Sequence, residues 1–371
     1  MTVDLAWARA ADLSSIASPS LLLGLEPIER NLQKMLAIAG SPSRLRPHVK
    51  THKLAFLVQR QLALGITSFK CATIAEAEMC ARAGAPDVLI AYQPVGPNIA
   101  RLMALIQKFP GTKFSAVFDE PGALRALANA AARAGTRLEL LLDIDAGQHR
   151  TGIEPGPAAV ALYRELSVNK FLVAGGLHAY DGHLSQSDPG IRAAACAEAF
   201  APVAGLREEL LSLGFTVQKI VAGGTPTFPI HAARKDVQCS PGTCVLWDAS
   251  SAVSLQDMDF SPAAVLLTRV VSKPGGSRLC LDLGHKAVAS EMPHPRVVFP
   301  DLPDAQFVKH SEEHLVLESA CSQRLAVGDT LLGVPWHVCP TVALHAEALL
   351  IEGGRVKKVC SIDARARKIT I

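Results

Sequence analysis

Aromatic residues are scarce in this chain. They make up 5% of its 371 residues, and the three tyrosines, Tyr92, Tyr163 and Tyr180, all lie in the first half. A reaction that draws a tyrosine acid or base from the second half is therefore disfavoured. No apolar run approaches the roughly 20 residues needed to cross a bilayer, so no membrane partner is expected. An excess of one charge is also lacking. The formal net charge is +3 with both signs interspersed, which argues against a nucleic-acid surface. Nine cysteines are scattered from Cys71 to Cys360 without a CxxC pair. That spacing disfavours a disulfide scaffold and makes a reducing cytoplasm the expected location. The opening residues carry an early acid, Asp4, and no apolar stretch, so no secretory leader is expected. Low-complexity linkers and internal repeats are missing as well.

What is present is enough apolar material for a large domain and a smaller one. The hydrophobic fraction is 49% and the mean hydropathy +0.24, well outside the disordered range. Strand-like runs fall at 21–25, 45–49, 67–72, 88–92, 113–118, 138–144, 171–180 and 217–222. Segments with helical spacing lie between them, among them 28–39, 74–83 and 192–213, the last ending at Gly214 as a helix cap would. Eight β/α units over about 200 residues predict a parallel (β/α)8 TIM-type barrel over 20–250. Beyond Asp248 the texture changes to strand-like segments without long helices, at 264–271, 278–283, 297–299, 315–318, 330–334, 346–351 and 356–362. This predicts a mostly antiparallel β domain over 251–371, joined by residues 1–19.

Against this background one segment stands out: Arg46-Pro47-His48-Val49-Lys50-Thr51-His52-Lys53. Two lysines, two histidines and an arginine fall within eight residues of a chain that is only 19% charged. On composition alone the cluster reads equally as an ordinary basic loop. Its place, where a strand-like run gives way to a loop, favours a site. The stretch resembles the pyridoxal-phosphate lysine motif of the D-threonine aldolase and D-serine dehydratase family, fold-type III enzymes related to alanine racemase. The resemblance implies that Lys50 is the covalent anchor of pyridoxal 5'-phosphate, with His48 among the cofactor-binding residues.

In a (β/α)8 barrel the reactive groups sit at the C-terminal ends of the strands. Lys50 meets that condition. So does Gly223-Gly224-Thr225 after the eighth predicted strand. Glycines there let backbone N–H groups approach an anion, although a plain turn has the same composition. The segment resembles the family's phosphate loop, which implies that Gly223, Gly224 and Thr225 cradle the phosphate. Residues 143–152 resemble the family's Asp-x-Gly-x-x-Arg-x-Gly segment and imply a place for Arg150 beside the cofactor. Tyr180 matches a family tyrosine near the pyridine ring, and His183 is a candidate acid or base. Residues 240–248 resemble a further family segment, but Cys244 stands where relatives often carry tyrosine.

A second signal is Pro335-Trp336-His337-Val338-Cys339-Pro340-Thr341. In an extended segment residues i and i+2 share a face, so His337 and Cys339 can present an imidazole and a thiolate to one ion. By ligand softness the pair suits Zn²⁺, with Mn²⁺ or Mg²⁺ as the other candidates. Alone, such a pair is a common accident. The family carries His-x-Cys or His-x-Asp here and binds a divalent metal, so the resemblance implies a metal site.

Taken together, the resemblance implies a lyase acting on D-3-hydroxy amino acids, working as a homodimer. Two reactions suit the parts: β-elimination to a 2-oxo acid and ammonia, and retro-aldol cleavage to glycine and an aldehyde. Cys339 resembles the dehydratase side and favours elimination. A racemase on the same fold is the rival, but it takes a tyrosine from the β domain, which this chain does not supply.

Overall fold

The computed structural model describes residues 4–371; the first three residues of the segment read for a leader lie outside it. The strands, in chain order, are β1 (Ser20–Gly24), β2 (Ser68–Cys71), β3 (Asp87–Ile90), β4 (Lys113–Phe118), β5 (Leu138–Ile144), β6 (Leu172–Ala179), β7 (Lys219–Ala222) and β8 (Val237–Cys239). They continue as β9 (Ala264–Ser272), β10 (Arg278–Leu281), β11 (Val297–Val298), β12 (Gln306–His310), β13 (Leu315–Glu318), β14 (Thr330–Pro335), β15 (Glu347–Glu352) and β16 (Arg355–Ser361). The chain divides into two compact units. One holds Met35–Lys50, Ala55–Gly242 and Ala366–Ile371; the other holds the residues up to Lys34, Thr51–Leu54 and Thr243–Arg365.

The first of these units is built on β2 to β8, all parallel and in chain order. Residues 45–48 complete the ring: Leu45 bridges to Cys239 in β8 and His48 to Lys70 in β2. Eight staves result, but they are not the eight predicted. The run at 21–25 is β1, which belongs to the other unit's sheet, and β8 went unpredicted. A short apolar run carries no information about its partner, so the first β/α pair looked like the start of a barrel. The three residues of β8 are too few to show a period. Helix starts are better marked. Ile74–Arg82 begins where Thr73 Oγ1 accepts the Glu76 N–H at 3.1 Å and the Glu76 carboxylate accepts the Ala72 N–H at 2.7 Å, a capping arrangement. Pro189–Ser212 begins three residues before the predicted start, with Asp188 accepting the Ile191 N–H at 2.8 Å and a proline in the first turn.

Inside this ring the strands stack in layers. Leu89, Val117, Leu141 and Val221 form an apolar one. At the strands' N-terminal ends, Arg46 is 1% exposed and pairs with Asp87 through two hydrogen bonds of 2.7 and 2.9 Å, while Glu139 takes Lys219 at 2.7 Å and also Lys113. Burial raises the Asp87 carboxyl, but Arg46, Lys219 and Lys113 outweigh it and hold the group below its ordinary value. A depressed folded-state value means that the stabilisation is present above the unfolded pKa and is lost as pH falls through the folded one. Asp87→Ala leaves a buried guanidinium without its carboxylate. At neutral pH it should destabilise the fold by about 3 kcal/mol. The gap from wild type, read from denaturant midpoints, should narrow as pH drops below about 4.

The other unit is a nine-stranded sheet. Its main order is β12-β13-β10-β9-β1-β15-β16, with β14 pairing β9 and β11. Among the described residues, only β1 with β15 is parallel in this sheet, in line with the mostly antiparallel domain that the sequence texture predicts. Leu22, Val265, Leu267, Val334 and Ile351 pack with Leu5 and Ala8 in its core.

Candidate active site

The site is assembled at the C-terminal ends of the barrel staves. Lys50 lies in a short turn, Val49–Thr51, directly after the first stave, and its N–H donates to His48 Nδ1 at 3.3 Å. His48, Lys50, Asp143 and Arg150 line one cavity of 530 Å³. Tyr180 sits just beyond β6. Its ring has Arg150 at 5.1 Å, Lys70 Nζ at 5.5 Å and Lys50 Nζ at 5.7 Å from the centroid. Three basic side chains therefore gather around one aromatic ring.

The glycine loop follows β7. Gly223 has φ +81°, a conformation that disfavours a side chain, and its N–H donates to the Ala179 carbonyl at 3.1 Å. A Cβ on Gly223 would lie 2.7 Å from His231 Cδ2, and one on Gly224 would lie 3.2 Å from the Tyr180 ring. Gly224 N–H donates to Thr227 Oγ1 at 3.2 Å, and Thr225 Oγ1 accepts the Gly242 N–H at 3.2 Å. Bare backbone, a flanking aromatic ring and convergent cations suit a phosphorylated, planar, aldehyde-bearing cofactor. Gly223→Ala should strain the loop by about 1–2 kcal/mol. The expected outcome is a cofactor dissociation constant roughly ten times higher by absorbance titration, in a protein that remains folded.

Asp181 anchors this loop from below. Thr227 Oγ1 donates to its Oδ1 at 2.8 Å, and His231 Nε2 lies 2.7 Å from its Oδ2. Burial raises the Asp181 carboxyl, but His231 and Thr227 hold it below its usual value. Cys196 Sγ lies 3.5 Å from His231 Nε2. Asp181, Cys196 and His231 are all buried and close enough to hold a metal. Two features favour a hydrogen-bonded brace instead. Burial, reinforced by Asp181, pushes the Cys196 thiol up to about 11, and Arg234 Nη1 lies 3.3 Å from His231 Nδ1.

One layer inward, His178 Nδ1 lies 2.6 Å from Asp143 Oδ1, while its buried Nε2 has no hydrogen-bond partner among the described residues. Burial lowers the His178 pKa, against the pull of Asp143, so the ring is neutral and the carboxylate fixes which nitrogen bears the proton. His183 is exposed. Its Nε2 lies 3.5 Å from the place a Gly147 Cβ would take, beside the loop in which Asp145 accepts the Gly147 and His149 N–H groups.

The second unit holds the other expected pair. His337 and Cys339 are not in a strand. β14 ends at Pro335, His337 caps a helix and Cys339 lies in its first turn, Val338–Leu344. The turn forms because Asp248 Oδ2 accepts the Val338 N–H at 3.1 Å and Pro340, having no N–H, suits a first turn. His337 Nδ1 is 2.5 Å from Glu291 Oε1. Cys339 Sγ lies 3.2 Å from the hydroxyl of Thr51, the residue that follows Lys50, and 3.9 Å from that of Thr243. Burial opposes charge on His337, but Cys339, Glu291 and Asp248 together raise it to about 9. A nitrogen, a sulfur and nearby carboxylates that draw in positive charge form a donor set suited to a divalent ion.

The structure thus gathers Lys50, His48, Arg150, Tyr180, Gly223, Gly224, Thr225 and His183 in one unit, and His337 and Cys339 in the other. Sequence reasoning missed Lys70, the Asp143–His178 pair, the Asp181 brace and Glu291. Lys70 had a signal: it is a lone lysine inside the apolar run 67–72. Glu291 had none, because it lies 46 residues from its partner in an irregular segment.

Comparison with known proteins gives two family matches. The alanine racemase N-terminal domain matches residues 23–245, and a serine dehydratase domain matches residues 263–351. Among curated relatives, a D-threonine aldolase of Arthrobacter sp. is 31% identical over 95% of this chain and 94% of its own. A 3-hydroxy-D-aspartate aldolase of Paracoccus denitrificans is 28% identical over 96% and 94%. A D-threo-3-hydroxyaspartate dehydratase of Delftia sp. is 24% identical over 89% and 93%. The crystal structure of D-threonine aldolase from Filomicrobium marinum superposes with a TM-score of 0.89, at 30% identity, covering 96% of this chain and 98% of that one. Among the described residues no helix is long and apolar enough to cross a membrane.

Proposed function

Because the chain belongs to the D-threonine aldolase and D-serine dehydratase family of pyridoxal-phosphate-dependent lyases, we propose that it cleaves D-3-hydroxy amino acids by a retro-aldol reaction assisted by a divalent metal. The observation that carries this reading is that Lys50 and Arg150 line one cavity and both lie over the Tyr180 ring, in a chain 31% identical to a D-threonine aldolase.

Lys50 would hold pyridoxal phosphate covalently, Gly223, Gly224 and Thr225 its phosphate, and Tyr180, His48 and Arg150 its ring. Bound there, the cofactor withdraws electrons from the substrate Cα. With the cofactor carrying the substrate, Lys50 would present a free amine able to carry a proton to or from Cα. Arg150 offers positive charge to the substrate or cofactor anion. His183 is the candidate to take the hydroxyl proton. His337 and Cys339, with Glu291 fixing the imidazole, would hold the metal, which lowers the cost of negative charge on the β-oxygen. Cleavage of the Cα–Cβ bond gives an aldehyde and glycine, the proton returning to Cα. A homodimer belongs to the same proposal; sedimentation at twice the mass of one chain would bear it out and sedimentation as a monomer would remove it.

A second reading keeps a specific observation in its favour. Cys339 resembles the dehydratase side, and elimination would give a 2-oxo acid and ammonia. Against it, the dehydratase relative is 24% identical and the aldolase 31%. Incubation of loaded protein with D-threonine, D-serine and D-threo-3-hydroxyaspartate separates the two. Glycine equimolar with aldehyde supports cleavage, whereas oxo acid equimolar with ammonia replaces it by elimination.

A further inference from the structure

The reaction above leaves a buried lysine of the barrel unused. Lys70 lies in β2 and is 2% exposed. Its Nζ and that of Lys50 face the same Tyr180 ring, at 5.5 and 5.7 Å from the centroid. A lysine inside a barrel has no route to bulk water, so its charge must be balanced by the groups around it. Those groups come from several elements. Lys50 and Arg46 repel it, and Asp143 and Asp181 attract it. Arg150 shares the ring, and Lys70 in turn disfavours charge on His178.

We propose that Lys70 is a further functional residue of the active site, a buried amine electrostatically coupled to Lys50 that sets the pH range over which the lysine–cofactor linkage is protonated. The inference rests on the reading of Lys50 as the cofactor's anchor. Burial first, and then the charge of Lys50, bring Lys70 down to about 7, so its charge changes within the working range of pH. Below that value it is an ammonium and opposes positive charge at Lys50. Above it the opposition fades. Two groups coupled in this way titrate as a pair, over a wider range than either alone. Asp143 and Asp181 offset part of the effect, but burial and the charge of Lys50 outweigh them.

The test uses the holoprotein and reads the cofactor's visible absorbance against pH, which needs no turnover. Wild type, Lys70→Met and Lys70→Arg are compared after cofactor stoichiometry and far-ultraviolet circular dichroism are matched. Removing the amine should raise the midpoint of the linkage's titration by about one pH unit or more and sharpen it to a single-site curve. Lys70→Arg keeps a permanent charge and should lower the midpoint relative to Lys70→Met. An unchanged curve in Lys70→Met overturns the coupling. If Lys70→Met does not fold, Lys70→Arg decides alone: a curve narrowed to one site supports the coupling, and a curve identical to wild type overturns it. Absence of any cofactor linked to Lys50 in wild type would instead refute the reading of the site.

Discussion

Replacing Lys50 by alanine should lower turnover of D-3-hydroxy amino acids by at least about 10³-fold. The expected loss is large because one side chain would do two jobs, holding the cofactor and moving the Cα proton, and nothing else in the cavity is placed to take over both. Lys70 is the nearest rival, but it starts from β2, within the packed ring, whereas Lys50 belongs to the turn beyond the first stave. Phosphate binding should survive, since the loop after β7 is held by its own hydrogen bonds, Gly223 N–H to the Ala179 carbonyl and Gly224 N–H to Thr227 Oγ1, and does not depend on Lys50. The variant should therefore still bind pyridoxal phosphate, measurably weaker, with no adduct trapped by borohydride. Activity within tenfold of wild type would contradict the assignment. Partial rescue by added methylamine would strengthen it, because a free amine can replace the missing one.

The second large effect is expected at His337 and Cys339. Removing either ligand, or treating with a chelator, should cost about 10²-fold or more in turnover and leave the cofactor's absorbance in place. His337 and Cys339 lie in the other unit from Lys50, which makes that separation a specific expectation. Cys339→Asp is the informative variant. It keeps one negative charge but exchanges a soft sulfur for a hard oxygen, so the preferred ion should move from Zn²⁺ toward Mn²⁺ or Mg²⁺. Chelation without effect on rate would remove the metal from the account. Equal activation of wild type and Cys339→Asp by every ion would remove Cys339 from the ligands.

Much of this was legible in the sequence, and what was not has physical reasons. The barrel staves at 67–72, 88–92, 113–118, 138–144, 171–180 and 217–222 carry apolar runs long enough to declare themselves, and all are strands of the ring. The run at 21–25 is equally apolar, yet it pairs with β9 and β15. Pairing is set by distant residues, and no local pattern reports it. His-x-Cys was visible as a motif but misread as extended, because the signal for a helix start lay in Asp248, far upstream in the chain. The interior polar layer was hidden for another reason. Asp143 and His178 each look like rim residues until two neighbouring strands place them side by side.

The measurement that tests the central claim most directly is a comparison of enantiomers. Wild-type protein loaded with pyridoxal phosphate and Zn²⁺ or Mn²⁺ is incubated separately with D- and L-threonine, and with D-alanine as a substrate that lacks the β-hydroxyl. The account predicts that D-threonine alone is consumed, giving glycine and acetaldehyde in equal amounts, and that a chelator stops the reaction. Racemisation of D-alanine with D-threonine left intact would contradict it, and would show that the barrel performs proton exchange at Cα without breaking a bond to Cβ.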